Sequence, residues 1–254
     1  MNFISYNDCA VSINGKYFYA LSASLSSSAG LRANRIMGGE IDDYSPINPL
    51  SAKVSIEYYI TDSVDPIAAL TGNTSCNGNF GGVNFSGACL TSYSLSIAPY
   101  RPISIKSNFD VYSGFSQSLV GTSFPYEGTI DVANAAKTNL ENFNSNNIGL
   151  DNPIAISYQV GCQRLPSYVI GSEYPKNVNL GTVIKEMSIA GENVGELISY
   201  SGNAFAEISV SPKTINSASR GETLTCKGVI REQNLSVSTD SMLEGSITIV
   251  EDVR

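Results

Sequence analysis

"VSIEYYI", residues Val54–Ile60, decides the fold class. In an extended chain Val54, Ile56, Tyr58 and Ile60 fall on one side, and Ser55, Glu57 and Tyr59 on the other. A period of two with one apolar side describes a strand packed on one face and wet on the other. The pattern recurs outward along the chain. Tyr93, Leu95 and Ile97 repeat it, then Ile103, Ile105, Phe109 and Val111. Ile154, Ile156, Tyr158 and Val160 follow, then Ala206, Ile208 and Val210, and last Ile247 and Ile249. Near the start, Asn14-Gly15 divides two β-rich runs in "AVSINGKYFY". Both residues tolerate positive φ, so this spacing predicts a two-residue hairpin.

Helical signals are few. Asp65 to Gly72 reads as a short helix with a capping Asp, a first-turn Pro66 and a terminating glycine. Asp131 to Phe143 places Val132, Ala136, Leu140 and Phe143 on one helical stripe. The "NSNN" run at 144–147 is the best linker candidate.

Two stretches on either side of that linker echo each other. "ALSASLSSSAGLRANRIMGGE" runs from Ala20 to Glu40, and "AISYQVGCQRLPSYVIGSE" from Ala155 to Glu173. Both alternate, and both end apolar-apolar-Gly-x-Glu. Leu50-Ser51-Ala52 matches Leu180-Gly181-Thr182 by eye, and the run from Cys89 matches the run from Cys226. The same order twice predicts an internal duplication. The expected architecture is mainly β: two tandem antiparallel β-sandwich or β-barrel modules, residues 1–148 and 149–254, with one or two short helices.

Of the 254 residues, 42% are hydrophobic and only 15% charged. That argues against disorder, and the Ser, Asn, Thr and Gly remainder suits strands and turns. The net charge of -8, with 15 scattered basic residues, argues against a nucleic-acid grip. No run approaches the roughly 20 apolar residues of a membrane helix. The N-terminus lacks the pattern of a signal peptide, so synthesis in a reducing cytosol is the default expectation.

The chain has no histidine. Ser-His-Asp and Cys-His activation and H-E-x-x-H zinc sites are therefore absent, and no enzyme activity is expected. Carboxylate pairs are the remaining option: Glu40 with Asp42 and Asp43, or Asp62 with Asp65. The acidic "EIDDY" run reads as a solvated loop. No cofactor or metal is expected. The five cysteines contain no C-x-x-C and read as buried small hydrophobes, with a Cys76–Cys89 disulfide as the alternative. "GNFGGVNFSG", Gly78 to Gly87, lacks the lysine and spacing of a phosphate loop and reads as a flexible surface loop.

With no reactive constellation, the pattern points to assembly, because fusing two like modules makes one intermolecular contact intramolecular. The chain resembles the tail tube (major tail) proteins of long-tailed bacteriophages. The residues that carry the resemblance are Ile4–Ser28, Asn48–Pro66, Ser157–Glu173 and the "SITIV" strand, Ser246–Val250. It implies β-sandwich modules with a long hairpin, trimer or hexamer rings of this chain that stack, contacts with other virion proteins, and location in a virion. No membrane partner and no sequence-specific nucleic-acid binding are implied. In that setting Glu40, Asp42 and Asp43 would face a lumen and repel phosphate over a Debye length of about 8 Å. Exchanging Asp42 and Asp43 for Lys would then leave tubes intact and impair DNA passage. The alternative is a capsid-decorating or host-binding β-sandwich protein of the virion, with Gly78–Gly87 as its recognition loop.

Overall fold

The structure is a computed structural model describing residues 9–35, 41–46, 49, 51–99, 101–115, 120–123, 125, 153–192, 205–212, 221–237 and 243–253. The protein is mainly β, with fourteen strands among the described residues, twelve of them in one antiparallel sheet. The strands of the N-terminal half are β1 (Val11–Ile13), β2 (Lys16–Phe18), β3 (Ala20–Ser28), β4 (Leu31–Arg35), β5 (Ile41–Pro46), β6 (Ser51–Tyr59), β7 (Ser75–Phe80), β8 (Val83–Ile97) and β9 (Ser104–Val111). The second half contributes β10 (Pro153–Ser167), β11 (Asn177–Glu192), β12 (Phe205–Val210), β13 (Leu224–Ser236) and β14 (Glu244–Val253).

The alternation resolves as written in the sequence. Val54, Ile56 and Tyr58 on β6, Tyr93, Leu95 and Ile97 on β8, and Ile156, Tyr158 and Val160 on β10 are all buried. Their neighbours Ser55, Glu57, Ser94, Ser157 and Gln159 are not. Ile154 is the exception and is only half-buried. The inward residues form one apolar core fed by both halves of the chain, including Phe109, Met187, Ile189 and Ile249. Removing such a side chain from water contributes about 1.5–3 kcal/mol each. Asn14 and Gly15 take φ 49° and 79°, the positive values the β1–β2 hairpin requires.

Strand order repeats. In the first half β3 pairs β6, β6 pairs β9, β9 pairs β8, and β8 pairs β7. In the second half β10 pairs β11, β11 pairs β14, β14 pairs β13, and β13 pairs β12. Two of the irregularities repeat too. The β3–β6 register slips between Ala20 and Ser22, opposite Tyr58 and Glu57. The β10–β11 register slips between Pro153 and Ala155, opposite Gly191 and Ala190, each residue 133 positions further on. The β8–β9 slip lies between Leu90 and Ser92, and the β13–β14 slip between Ile230 and Glu232, a shift of 140. A bulge is a specific local device that re-aims a strand. Two of them recurring at matching positions give the halves one common register. The sequence match of Leu50 to Leu180 and of Cys89 to Cys226 is three residues out of that register in both cases.

The halves join edge to edge. β8 pairs β7 as far as Cys89 and takes β10 as its neighbour on that edge from Ser92 to Ile97. The sheet therefore runs across the 148/149 boundary, with strands from both segments in one sheet around one core. It also folds over: Gly221, just before β13, donates its N–H to the Asp62 carbonyl beyond β6 (2.6 Å).

Three local expectations are corrected. Gly78–Gly87 is a paired β7–β8 hairpin turning at Gly81 and Gly82, both at positive φ, and not a loose loop. The Asp65–Gly72 helix is reduced to a single 3-10 turn, Ala68–Thr71, because the Asp65 side chain is drawn into the core. The "EIDDY" run is strand rather than loop from Ile41 onward, as β5 pairs with β4 and Asp43 lies opposite Asn34. Among the described residues there is no α-helix. The expected helix at 131–143 and the linker at 144–147 lie outside the described residues.

Candidate functional site at the sheet edges

Arg164 holds the two halves together. By strand alternation it follows Val160 and Cys162 inward, an unusual place for a cation, and it is only 9% exposed. Its Nε donates to the Leu90 carbonyl (2.7 Å), Nη1 to Gly72 (2.9 Å) and Nη2 to Leu70 (3.1 Å). Leu90 sits where β8 exchanges β7 for β10, so its carbonyl falls between the two ladders. Leu70 and Gly72 end the 3-10 turn, whose last carbonyls have no internal donor. A rigid fork of N–H groups suits three carbonyls at once.

Asp65 is the second buried polar centre, 3% exposed. Tyr58 donates its hydroxyl to both carboxylate oxygens (3.0 and 2.8 Å), Tyr93 to Oδ2 (2.8 Å), and the Ile67 N–H to Oδ1 (3.0 Å). Burial raises the Asp65 pKa above the ordinary carboxylate value, and the hydrogen bonds pull it partly back. Burial, with the Asp65 charge next, pushes both tyrosines well above their usual value. The arrangement ties β6, the 3-10 turn and β8 together. Asp62 does not join it and pairs with Lys16 near the surface. The two carboxylates expected as a pair therefore sit in different settings, one dry and one wet.

Cys76, Cys89, Cys162 and Cys226 are buried, Cys9 is half-buried, and all five are free thiols. Burial raises Cys76 to about 12 and Cys226 to about 11. Cys76 lies opposite Ala88, and Cys89 opposite Ser75. Cross-strand partners share a face and neighbours along a strand do not. The two thiols thus point to opposite faces, which corrects the disulfide alternative. Among the described residues no group of His, Cys, Asp or Glu could hold a metal ion. No helix among them is long and apolar enough to cross a membrane.

What the sheet presents is its edges and its wet face. The wet face is rich in hydroxyls and amides: Ser24, Ser55, Asn108 and Ser92 lie in one row across four strands. Asn108 Nδ2 donates to Ser92 Oγ (2.7 Å). β3 ends the sheet and pairs only with β6 among the described residues. Its sequence, "ALSASLSSS", carries no charge and no proline over nine residues. Soluble proteins commonly guard such an edge with lysine, proline or a cover. The β10–β11 hairpin extends past the sheet into a loop closed by the Lys176 N–H on the Ser167 carbonyl (2.8 Å), and Ile170 at its tip is fully exposed.

Of the acidic trio, Asp42 and Asp43 occupy β5, in a two-stranded sheet that prolongs the β3–β6 hairpin, and Glu40 lies outside the described residues. Sequence reading missed Arg164 and the open edge. The signal for the first was a cation in phase with Val160 and Cys162; for the second it was a nine-residue strand without a guard. No protein-family model and no curated protein matches this chain.

Proposed function

We propose that this chain is a structural virion protein that self-assembles into stacked rings, the tube of a phage tail through which DNA passes. One observation carries the reading. The same strand order and two matching bulges occur in both halves, and the two copies already join edge to edge within one sheet. A contact of one module with the next is heterologous, and repeating it gives a ring where the rotation closes. Two modules per chain halve the number of bodies a ring must immobilise. The prolonged β3–β6/β4–β5 hairpin matches the long hairpin the resemblance implies. A net charge of -8 and a hydroxyl-rich wet face suit a surface over which a polyanion slides, since few lysines are available to release counterions.

The capsid-decorating or host-binding alternative used Gly78–Gly87 as a recognition loop. Those residues belong to a hairpin whose first strand is flanked by β1 and β8. Electron microscopy of the purified chain separates the two readings: stacked hollow rings support the tube, and isolated knobs refute it.

A further inference from the structure

The junction inside the chain specifies the junction between chains. Within the chain, β10 covers the end of β8, pairing Ile156 with Ile97, Ser157 with Ser96 and Tyr158 with Leu95. Under that cover Leu95 and Ile97 are 3% and 4% exposed. The common register makes Leu235 and Val237 their counterparts in the second half, 140 positions on. β12 pairs β13 only as far as Val229, and beyond it no described strand lies on that edge. Leu235 and Val237 are accordingly 47% and 71% exposed. Two apolar side chains whose counterparts are core residues stand in the open for want of one strand. The counterpart of β10 is β3, 133 positions earlier, whose outer edge is unguarded.

We infer that β3 of one copy adds to the free end of β13 of a second copy, antiparallel, with Ala23 opposite Val237, Ser24 opposite Ser236 and Leu25 opposite Leu235. Ala23 and Leu25 already point toward the core side of the sheet, packed against it at its rim. The added strand would close the core over Leu235 and Val237 as β10 closes it over Leu95 and Ile97. Backbone pairing supplies affinity, and the alternating side chains fix the register. Polarity is also fixed, because each copy offers one β3 and one β13. Copies join head to tail, so pairing of β3 with β3 is not the favoured contact. The assignment rests on the ring reading only for the closure of the chain of contacts, and not for the contact itself.

Cross-linking tests it. Directly opposed residues in a sheet bring Cβ atoms about 4.5–5.5 Å apart, close enough for a disulfide after a small adjustment. The double variant Ser24→Cys with Ser236→Cys, oxidised under mild conditions, is expected to give a ladder of covalently joined chains on a non-reducing gel. Each single variant and the out-of-register pair Ser24→Cys with Glu232→Cys should stay below a tenth of that yield. Rings seen by microscopy without this cross-link overturn the interface and leave the tube reading standing. A ladder from open fibres rather than rings upholds the interface and overturns the tube. Equal yields from both pairs, or a wild-type chain that stays single at every concentration, overturn the interface.

Discussion

Arg164 and Asp65 are the two residues on which the core's polar accounting turns. Replacing Arg164 by Met strands two buried carbonyls and a half-buried one, each buried one worth about 1–3 kcal/mol when left without a donor. The expected loss of stability by denaturant titration is roughly 3–5 kcal/mol, with Arg164→Lys in between because an ammonium cannot serve three divergent acceptors. Asp65 gives a pH signature. Its carboxyl holds a proton more tightly folded than unfolded, since burial raises its pKa. Its contribution to stability is therefore greatest at acid pH. That contribution falls as pH rises from the unfolded carboxylate value through the raised folded one. Asp65→Asn should flatten this slope, read as denaturation midpoints of both proteins across that window; parallel profiles would show that Asp65 titrates normally. The sequence marks Arg164 only as a cation in phase with Val160 and Cys162, and its three acceptors are set by tertiary pairing. Asp65 followed by Pro66 signals a helix cap, and it does accept the Ile67 N–H. Its capture by Tyr58 and Tyr93 depends on strands that only tertiary pairing brings together.

At the level of elements, the strands were legible and their limits were not. Period-two alternation found β6, β8, β9, β10, β12 and β14 because each has one dry face. Glycine misled at Gly78–Gly87, where residues that loosen a loop instead allow close packing. A Cβ at Gly78 would clash with the Phe85 ring. At Gly228 it would clash with the Val250 carbonyl oxygen, a backbone atom that cannot step aside. Gly228→Ala is thus expected to cost at least about 2 kcal/mol, whereas Gly15→Ala meets no atom and strains only its φ of 79°. The thiols report on the same packing. Ellman titration of the native chain should modify at most Cys9 quickly, and all five thiols after unfolding. Rapid reaction of two or more native thiols would contradict the burial of the sheet interior.

On the scale of the whole molecule, the doubling was visible in the sequence as order and rhythm, and blurred as alignment. Side chains at matching positions differ: the buried Ala52–Val111 pair has the Lys185–Glu251 ion pair (3.2 Å) as its counterpart. What the halves share is hydrogen-bond register and bulges, which backbone geometry preserves when side chains do not. The exposed Ile170 tip belongs to this scale as well. Under the proposed assembly this tip is the stacking contact, and Ile170→Asp is expected to leave rings intact and shorten their stacks, counted on micrographs, because a charge opposes burial of an apolar tip. The central claim is that one chain completes the sheet of another. Sedimentation velocity of the wild-type chain beside the Leu235→Asp, Val237→Asp double variant tests it most directly. The account predicts multi-chain particles for the wild type and single folded 27.0 kDa chains for the variant. A variant that assembles as the wild type does, at equal concentration and with an unchanged denaturation midpoint, would contradict it.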